Sequence, residues 1–414
     1  MSKRLRYTIE TLLVNALIFS TLYQLLVYLA NRRFWHQAPL PPADDSDWPI
    51  SVIVPLRGKT PDTLALLHLI AVTGPTPHYE VILALEDERD PAYPIALTAA
   101  QHYPDTVRIV LSGPAGRHVG KIHNLNAGYQ AAHGDLIAFV DADVQVSAEL
   151  WHAALAALVD SATGAVFAPP LAGEPERHNS TAIPTGGEVL IALYTNHAQT
   201  AGLPFAALSN RIRALSSGFI VFRRTALDEA GGLLHLLDDA AEDISLGRAV
   251  REIGYRLQAI PVPAHVLPEA KPVGDVTNDL LRKLITTRAY HLPAFLAWPF
   301  TNPLTVGFML GFITEHEGRW WGRRTWWFFI WLRLAIAYEL DRIRFGRGFT
   351  WIAYAQLFML DTFIAPALWA RALIQRTFVW RGRTYRIAQG GKATPVDYPT
   401  DPSKGGAMSA PRLP

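Results

Sequence analysis

The dipeptide-spaced acids Asp141-Ala142-Asp143 follow the apolar run Leu136 to Val140. Carboxylates at i and i+2 leaving a strand end point the same way, which suits a divalent cation shared with a diphosphate. A second acidic run, Asp238-Asp239-Ala240-Ala241-Glu242-Asp243, precedes the helical pattern Ile244 to Ile253. An acid there is either an N-cap or a general base held in a fixed pose. Glu86-Asp87 follows Val81 to Leu85, with Asp90-Pro91 opening the next helix. Such a carboxylate can accept hydrogen bonds from a nucleobase or ribose, or cap a helix. Pro55-Leu56-Arg57-Gly58, after Ile50 to Val54, is a loop that can line a nucleotide pocket. Lys121 stands near a helix start, where the dipole disfavours a cation, so it neutralises a phosphate or carboxylate or is a plain surface lysine.

Other features are less informative. Ser216-Ser217-Gly218-Phe219 and Ala230-Gly231-Gly232 supply tight backbone for an approaching acceptor, or ordinary turns. His118 and His123 have no metal-ligand partner at helical spacing and are expected to be solvated. GxxxxGK[ST], HExxH and GxSxG are absent, and Gly390-Gly391-Lys392 has no evident strand before it.

The elements that must position these acids are short β-branched runs at Ile50, Val81, Val107, Leu136, Ala165 and Phe219. Helical patterns over Leu64 to Val72, Lys121 to Ala132 and Ala148 to Val159 alternate with them. That alternation predicts an α/β fold, a mostly parallel sheet with helices on both faces. In such a sheet ligands bind beyond the carboxyl ends of the strands, where the acids lie. The expected organisation is a membrane anchor over 1–33, a catalytic domain over 49–276, interfacial helices over 277–316, membrane helices over 317–374 and a basic segment over 375–414. The tail from Thr394 to Pro414 is expected to be disordered.

The anchor rests on 21 uncharged residues between Glu10 and Arg32, enough to cross a bilayer and too long and bulky for a signal peptide. Ala289 to Thr314 is uncharged but carries Pro293, Pro299 and Pro303, which predicts a broken helix. Thr325 to Leu340 contains Arg333 and Glu339, and Gly348 to Ala370 contains Asp361, so the zone supports two or three spans. Only 18% of the 414 residues are charged and the net charge is +2, which disfavours a nucleic-acid binder. The absence of cysteine excludes disulfides, thiolate nucleophiles and Cys-ligated metals.

Taken in order, SVIVPLRG, YEVILALEDERDPA, the stretch KIHNLNAGY from Lys121, DAD at Asp141, SSGFIVFRRTALDEAGG, AEDISLGRAV and WRGRTYR resemble the ceramide glucosyltransferases. That is a membrane-bound branch of the processive-type inverting glycosyltransferases with a GT-A fold. The resemblance implies that Asp87 is the uracil-side acid, Asp141 and Asp143 the nucleotide-sugar and metal acids, and Asp243 the catalytic base. It also implies Pro55, Lys121 and Asn124 on the donor side, with His197, Glu242 and Lys283 on the acceptor side. Where the family has Q/R-x-x-R-W, Lys283 stands at the arginine and Leu284 at the tryptophan; a cation is kept and the aromatic is lost.

The implied activity is transfer of a hexose, glucose first, from a UDP-sugar to a membrane-lipid hydroxyl, ceramide first, with Mg2+ or Mn2+ as cofactor. The catalytic domain is expected to face the cytosol, at a bacterial inner membrane. The alternatives are a hopanoid or glycerolipid acceptor, a glycan synthase, and a non-catalytic lipid-binding scaffold.

Overall fold

The computed structural model describes residues 3–38, 47–58, 62–173, 185–216, 218–267, 271–315, 321–380 and 382–396. Ser217, Arg381 and the tail beyond 396 lie outside the described residues.

A long helix, α1 (Lys3–Trp35), leads into β1 (Ile50–Pro55), α2 (Thr63–Val72), β2 (Tyr79–Leu85), α3 (Tyr93–His102) and β3 (Val107–Leu111). Then come α4 (Gly120–Ala131), β4 (Leu136–Val140), β5 (Val144–Gln145), α5 (Ala148–Leu158), β6 (Thr163–Phe167), β7 (Pro170–Ala172), α6 (Gly186–Tyr194) and α7 (Leu203–Leu208). The unit closes with β8 (Phe219–Arg223), α8 (Arg224–Glu229), α9 (Glu242–Glu252), β9 (Arg256–Ala259) and β10 (Ala264–Val266).

Seven strands form one sheet in the order β3-β2-β1-β4-β8-β6-β9. β1 pairs in parallel with β2 and β4, β2 with β3, and β6 with β9, while β8 runs antiparallel to both β4 and β6. Every residue of β4 is buried, which explains its unbroken apolar run: a strand covered on both faces has no polar side. The period-2 alternation of strands divides the core. Ile53, Phe139 and Phe222 pack on one face with Ile122 and Leu125 of α4, and Val54, Val140 and Phe219 pack on the other with Trp151 of α5. Gly128 lets α4 lie close, since a Cβ there would stand 2.4 Å from Ile53 Cγ2.

The C-terminal half is mostly helical: α10 (Val273–Tyr290), α11 (Leu292–Ala297), α12 (Pro303–Glu315), α13 (Trp321–Phe345), α14 (Trp351–Met359) and α15 (Ala365–Ile374). Among the described residues two helices are long and apolar enough to cross a membrane, Arg4–Trp35 and Trp351–Ile374. The proline-rich zone is broken as expected: Leu292–Thr301 and Pro303–Thr314 meet at a 64° bend. α13 is not among these candidates, and it carries the buried Arg333, Asp341 and Arg344. Arg333 Nε meets Asp361 Oδ2 at 2.9 Å, and Arg344 Nη2 and Nη1 donate to Asn31 Oδ1 and the Asn196 carbonyl, each at 2.6 Å.

Two expectations about the C-terminal segment are corrected. Antiparallel strands β11 (Thr377–Trp380), β12 (Arg383–Ile387) and β13 (Ala393–Pro395) form a separate sheet, so a strand does precede Gly390-Gly391-Lys392 and order extends past Thr394. Phe378, Tyr385 and Ile387 join the sheet core, and that burial supplies the order that the tail's composition does not suggest. The expected boundary at 276 falls inside α10, because Leu281, Leu284 and Ile285 pack in the same core as Ile53.

Candidate active site

Asp141 begins a turn at the end of β4 in which the Val144 N–H donates to its carbonyl at 3.1 Å. The Asp141 N–H donates to Gly218 O at 2.9 Å, and the Leu267 N–H donates to Asp143 O at 2.8 Å. Pairing of β5 with β10 holds the far side. The acids therefore stand on a backbone-anchored turn at the carboxyl end of a central strand.

Lys121, in the first turn of α4, reaches Asp141 Oδ1 at 2.8 Å and Glu242 Oε1 at 2.6 Å. Burial alone would lower its pKa, but the two facing carboxylates outweigh burial and hold the ammonium above its ordinary value. Carboxylate neutralisation is thus the reading that holds for Lys121, and the surface-lysine alternative fails because its side chain is only 19% exposed. Glu242 is buried, and its neighbour Asp243 accepts the Ile244 N–H on Oδ1 at 2.9 Å. Both acids occupy the first turn of α9, where the helix dipole favours negative charge.

The entry to α9 is held by the C-terminal strands. Ala240 N–H donates to Gly391 O at 2.9 Å, Ala393 N–H donates to Asp238 O at 2.6 Å, and Lys392 Nζ stands 3.3 Å from Asp239 Oδ2. The Tyr290 hydroxyl accepts from the Ala241 N–H at 3.1 Å and donates to Asp239 Oδ1 at 3.0 Å. Gly391 has φ +92°, and a Cβ there would lie 2.0 Å from Tyr290 Cζ, so only glycine fits. Sequence reasoning missed this clamp; the glycine pair two residues after the alternating RTYRI run was its available signal.

On the donor side, Pro55 ends β1, and Asp87 lies exposed beyond β2 with Oδ1 accepting the Arg89 N–H at 2.7 Å. Asp90 Oδ1 accepts from Ala92 N and from Gly58 N, each at 2.8 Å, so it caps its turn and fixes the Pro55–Gly58 loop. Glu86 stands between Arg57 at 3.3 Å and Arg383 of β12 at 3.6 Å. Asn124 is buried beneath these loops, donating to Leu56 O at 3.2 Å and accepting from Ser112 Oγ at 2.7 Å. His118 and His123 are not solvated: His118 Nδ1 is 2.7 Å from Asp238 Oδ1, and His123 Nε2 is 3.0 Å from Ser112 O, because both lie where α4 meets neighbouring loops.

On the other side of Lys121, a π-helical turn, Thr195–Gln199, carries two relevant side chains. His197, 1% exposed, faces Asp341 of α13 at 3.2 Å. Lys283 Nζ donates to Gln199 Oε1 at 2.6 Å and lies 5.3 Å from the centre of the Tyr194 ring. Burial and then Arg282 push its pKa down to about 8, while Asp279, Asp143 and Asp243 pull the other way. Lys283 therefore feels both Asp143 and Asp243 and is held by the π turn. Leu284 is buried in the core, and the aromatic beside this cation pair comes from elsewhere: Trp380 of β11 lies 5.2 Å from the Arg282 guanidinium. Among the described residues no group of three His, Cys, Asp or Glu side chains converges as a complete metal site.

The sequence model of glycosyl transferase family 21 matches residues 12–393. Ceramide glucosyltransferase 1 of Caenorhabditis elegans is 21% identical over 354 residues, 83% of this chain and 72% of that protein. Ceramide glucosyltransferase of Komagataella phaffii is 28% identical over 113 residues, 26% of this chain and 21% of that protein. A mannosyltransferase of Pyrobaculum calidifontis, solved with GDP-Man and Mn2+, superposes with a TM-score of 0.53 at 17% identity, covering 88% of this chain and 97% of its own. The GT-A fold expected from the motifs is the fold of this chain.

Proposed function

This chain belongs to glycosyl transferase family 21 and is a glycosyltransferase, and on that premise we propose that it moves glucose from UDP-glucose to the hydroxyl of ceramide at the membrane surface. The observation that carries the reading is the Lys121 bridge. It ties the strand-end acid Asp141 to the helix-start acid Glu242, whose neighbour in the first turn of α9 is Asp243.

Asp87 and Pro55 flank the uridine, with Asn124 fixing the loop beneath it. Asp141 and Asp143 face the diphosphate. Their hard oxygen donors fit Mg2+ or Mn2+, and a turn that offers only two carboxylates leaves positions for diphosphate oxygens and water. Bound there, the cation would offset negative charge on the departing UDP. Asp243 takes the proton from the ceramide hydroxyl as that oxygen forms its bond to the anomeric carbon. The bond from that carbon to UDP breaks with its electron pair leaving on the diphosphate, and the configuration inverts. Glu242 is spent on Lys121, so it fixes the angle of α9 rather than exchanging protons. Lys283 supplies charge at the diphosphate or acceptor, and His197 stabilises the π turn carrying Gln199. The catalytic domain faces the cytosolic pool of nucleotide sugars.

The test is UDP release by the purified chain in lipid nanodiscs with ceramide, a hopanoid or diacylglycerol, followed by mass spectrometry of the lipids. Glucosylceramide formed only in the presence of Mg2+ or Mn2+ is the expected product. Release with another lipid alone would reassign the acceptor, and undiminished turnover in EDTA would remove the metal.

A further inference from the structure

A cavity of about 300 Å³ lies apart from the catalytic acids, where the end of α10 meets the end of α15 and strand β12. Arg288 and Arg376 line it together with Leu292, Leu373, Ile387 and Gln389. Among the described residues no carboxylate pairs with either arginine. Arg288 donates to the Ala372 carbonyl and, at 2.8 Å, to the Gln375 carbonyl, closing the C-terminus of α15. Arg376 is exposed, and burial, followed by the Arg376 charge, lowers the pKa of Arg288. Two like charges sharing one concavity repel unless an anion joins them.

The surroundings identify that anion. α15 ends the candidate membrane span Trp351–Ile374, so the cavity lies at the end of that apolar helix. Leu373 is 42% exposed, Ile374 83%, Leu292 44% and Leu296 45%, a strip of apolar side chains beside the cationic mouth. A free phosphate would use the arginines and ignore this strip, whereas a lipid uses both. We propose that the cavity binds the phosphodiester headgroup of an anionic membrane phospholipid, with its chains lying along Leu292, Leu373 and Ile374. Guanidinium forks suit phosphate oxygens, and basic pockets beside membrane helices take such headgroups. None of the lining residues is assigned to donor or acceptor in the proposed function, and the proposal stands whichever lipid is glycosylated.

The probe is the full chain in nanodiscs of phosphatidylglycerol or phosphatidylcholine with identical chains, read by native mass spectrometry for retained lipid and by Tm. Phosphatidylglycerol should be retained with roughly tenfold preference, the value of one charge-assisted contact, and should raise Tm. Arg376→Gln and Arg376→Glu should each abolish the preference, while excess inorganic phosphate should leave it intact. Arg376 makes no side-chain hydrogen bond among the described residues, so equal Tm values in phosphatidylcholine will show that both variants fold. Unchanged retention in folded Arg376→Glu would overturn the location. Displacement by inorganic phosphate, or an equal Tm rise from phosphate alone, would replace the lipid with a free anion and overturn the proposal.

Discussion

Charged side chains cluster at the strand ends and among the C-terminal helices, and the two clusters are built differently. At the strand ends, Asp141, Asp143, Glu242 and Asp243 gather around Lys121 and Lys283, so acids outnumber cations. Among the helices, Arg333 pairs with Asp361, and Asp341 and Arg344 lie three residues apart on α13. Asp341 also accepts from the Tyr354 hydroxyl at 2.9 Å and faces His197. There the charges balance, and the Arg333 and Asp361 side chains are 2% and 6% exposed. A closed pair is balanced within itself, whereas the strand-end cluster carries more acids than cations, which is the composition that the proposed metal and base roles call for.

The largest effect tests the open cluster. Asp243→Asn keeps size and the contact to Ile244 but loses basicity, so kcat should fall by roughly 10²–10⁴-fold with UDP-glucose affinity retained. Steady-state turnover beside calorimetric donor binding reads both, and turnover near wild type would take the base role from Asp243.

The closed pair should respond in the opposite manner. Arg333→Met leaves Asp361 buried without its partner and should cost about 3–5 kcal/mol of stability, visible as a lower Tm in detergent. Adding Asp361→Leu should recover most of that loss, since removing both charges removes the desolvation cost as well. At the site, Lys121→Met with Asp141→Leu should instead stay destabilised as well as inactive, because the buried Glu242 still lacks its partner. A double helical variant as unstable as the single one would show that Arg333 and Asp361 serve separate partners.

The sequence made the strand-end acids legible because a buried parallel strand and the polar turn after it differ sharply in composition, as Leu136 to Val140 and Asp141 do. The break at Pro293 to Pro303 was equally plain, for proline acts locally. Pairings across long separations were not legible. Tyr290 and Lys392 meet Asp239, and Gly391 meets Ala240, only after α10 and β11 to β13 fold back on the sheet, and each reads alone as a common surface residue. Arg333 and Asp361 read as lone charges in separate apolar segments because the two partners lie 28 residues apart along the chain.

Lys283 gives the finest test, because it stands between the two regions. With its pKa near 8, it is charged below that pH and neutral above it. If its charge serves the diphosphate, kcat/KM should decline as pH rises through about 8, since this ratio reports the free enzyme. Stability should move the other way. Between about 8 and the unfolded lysine value of about 10.4 the unfolded chain binds more protons, so folding becomes more favourable as pH rises. Lys283→Arg stays charged throughout and should erase the alkaline decline, at some cost because the broader guanidinium must fit between Gln199 and Tyr194. Lys283→Met should keep the high-pH stability and run at the high-pH rate at every pH. A wild-type profile that stays flat from pH 7 to 9, with equal rates for the arginine and methionine variants, would place Lys283 with the structural charges and leave diphosphate neutralisation to Lys121 and the cation.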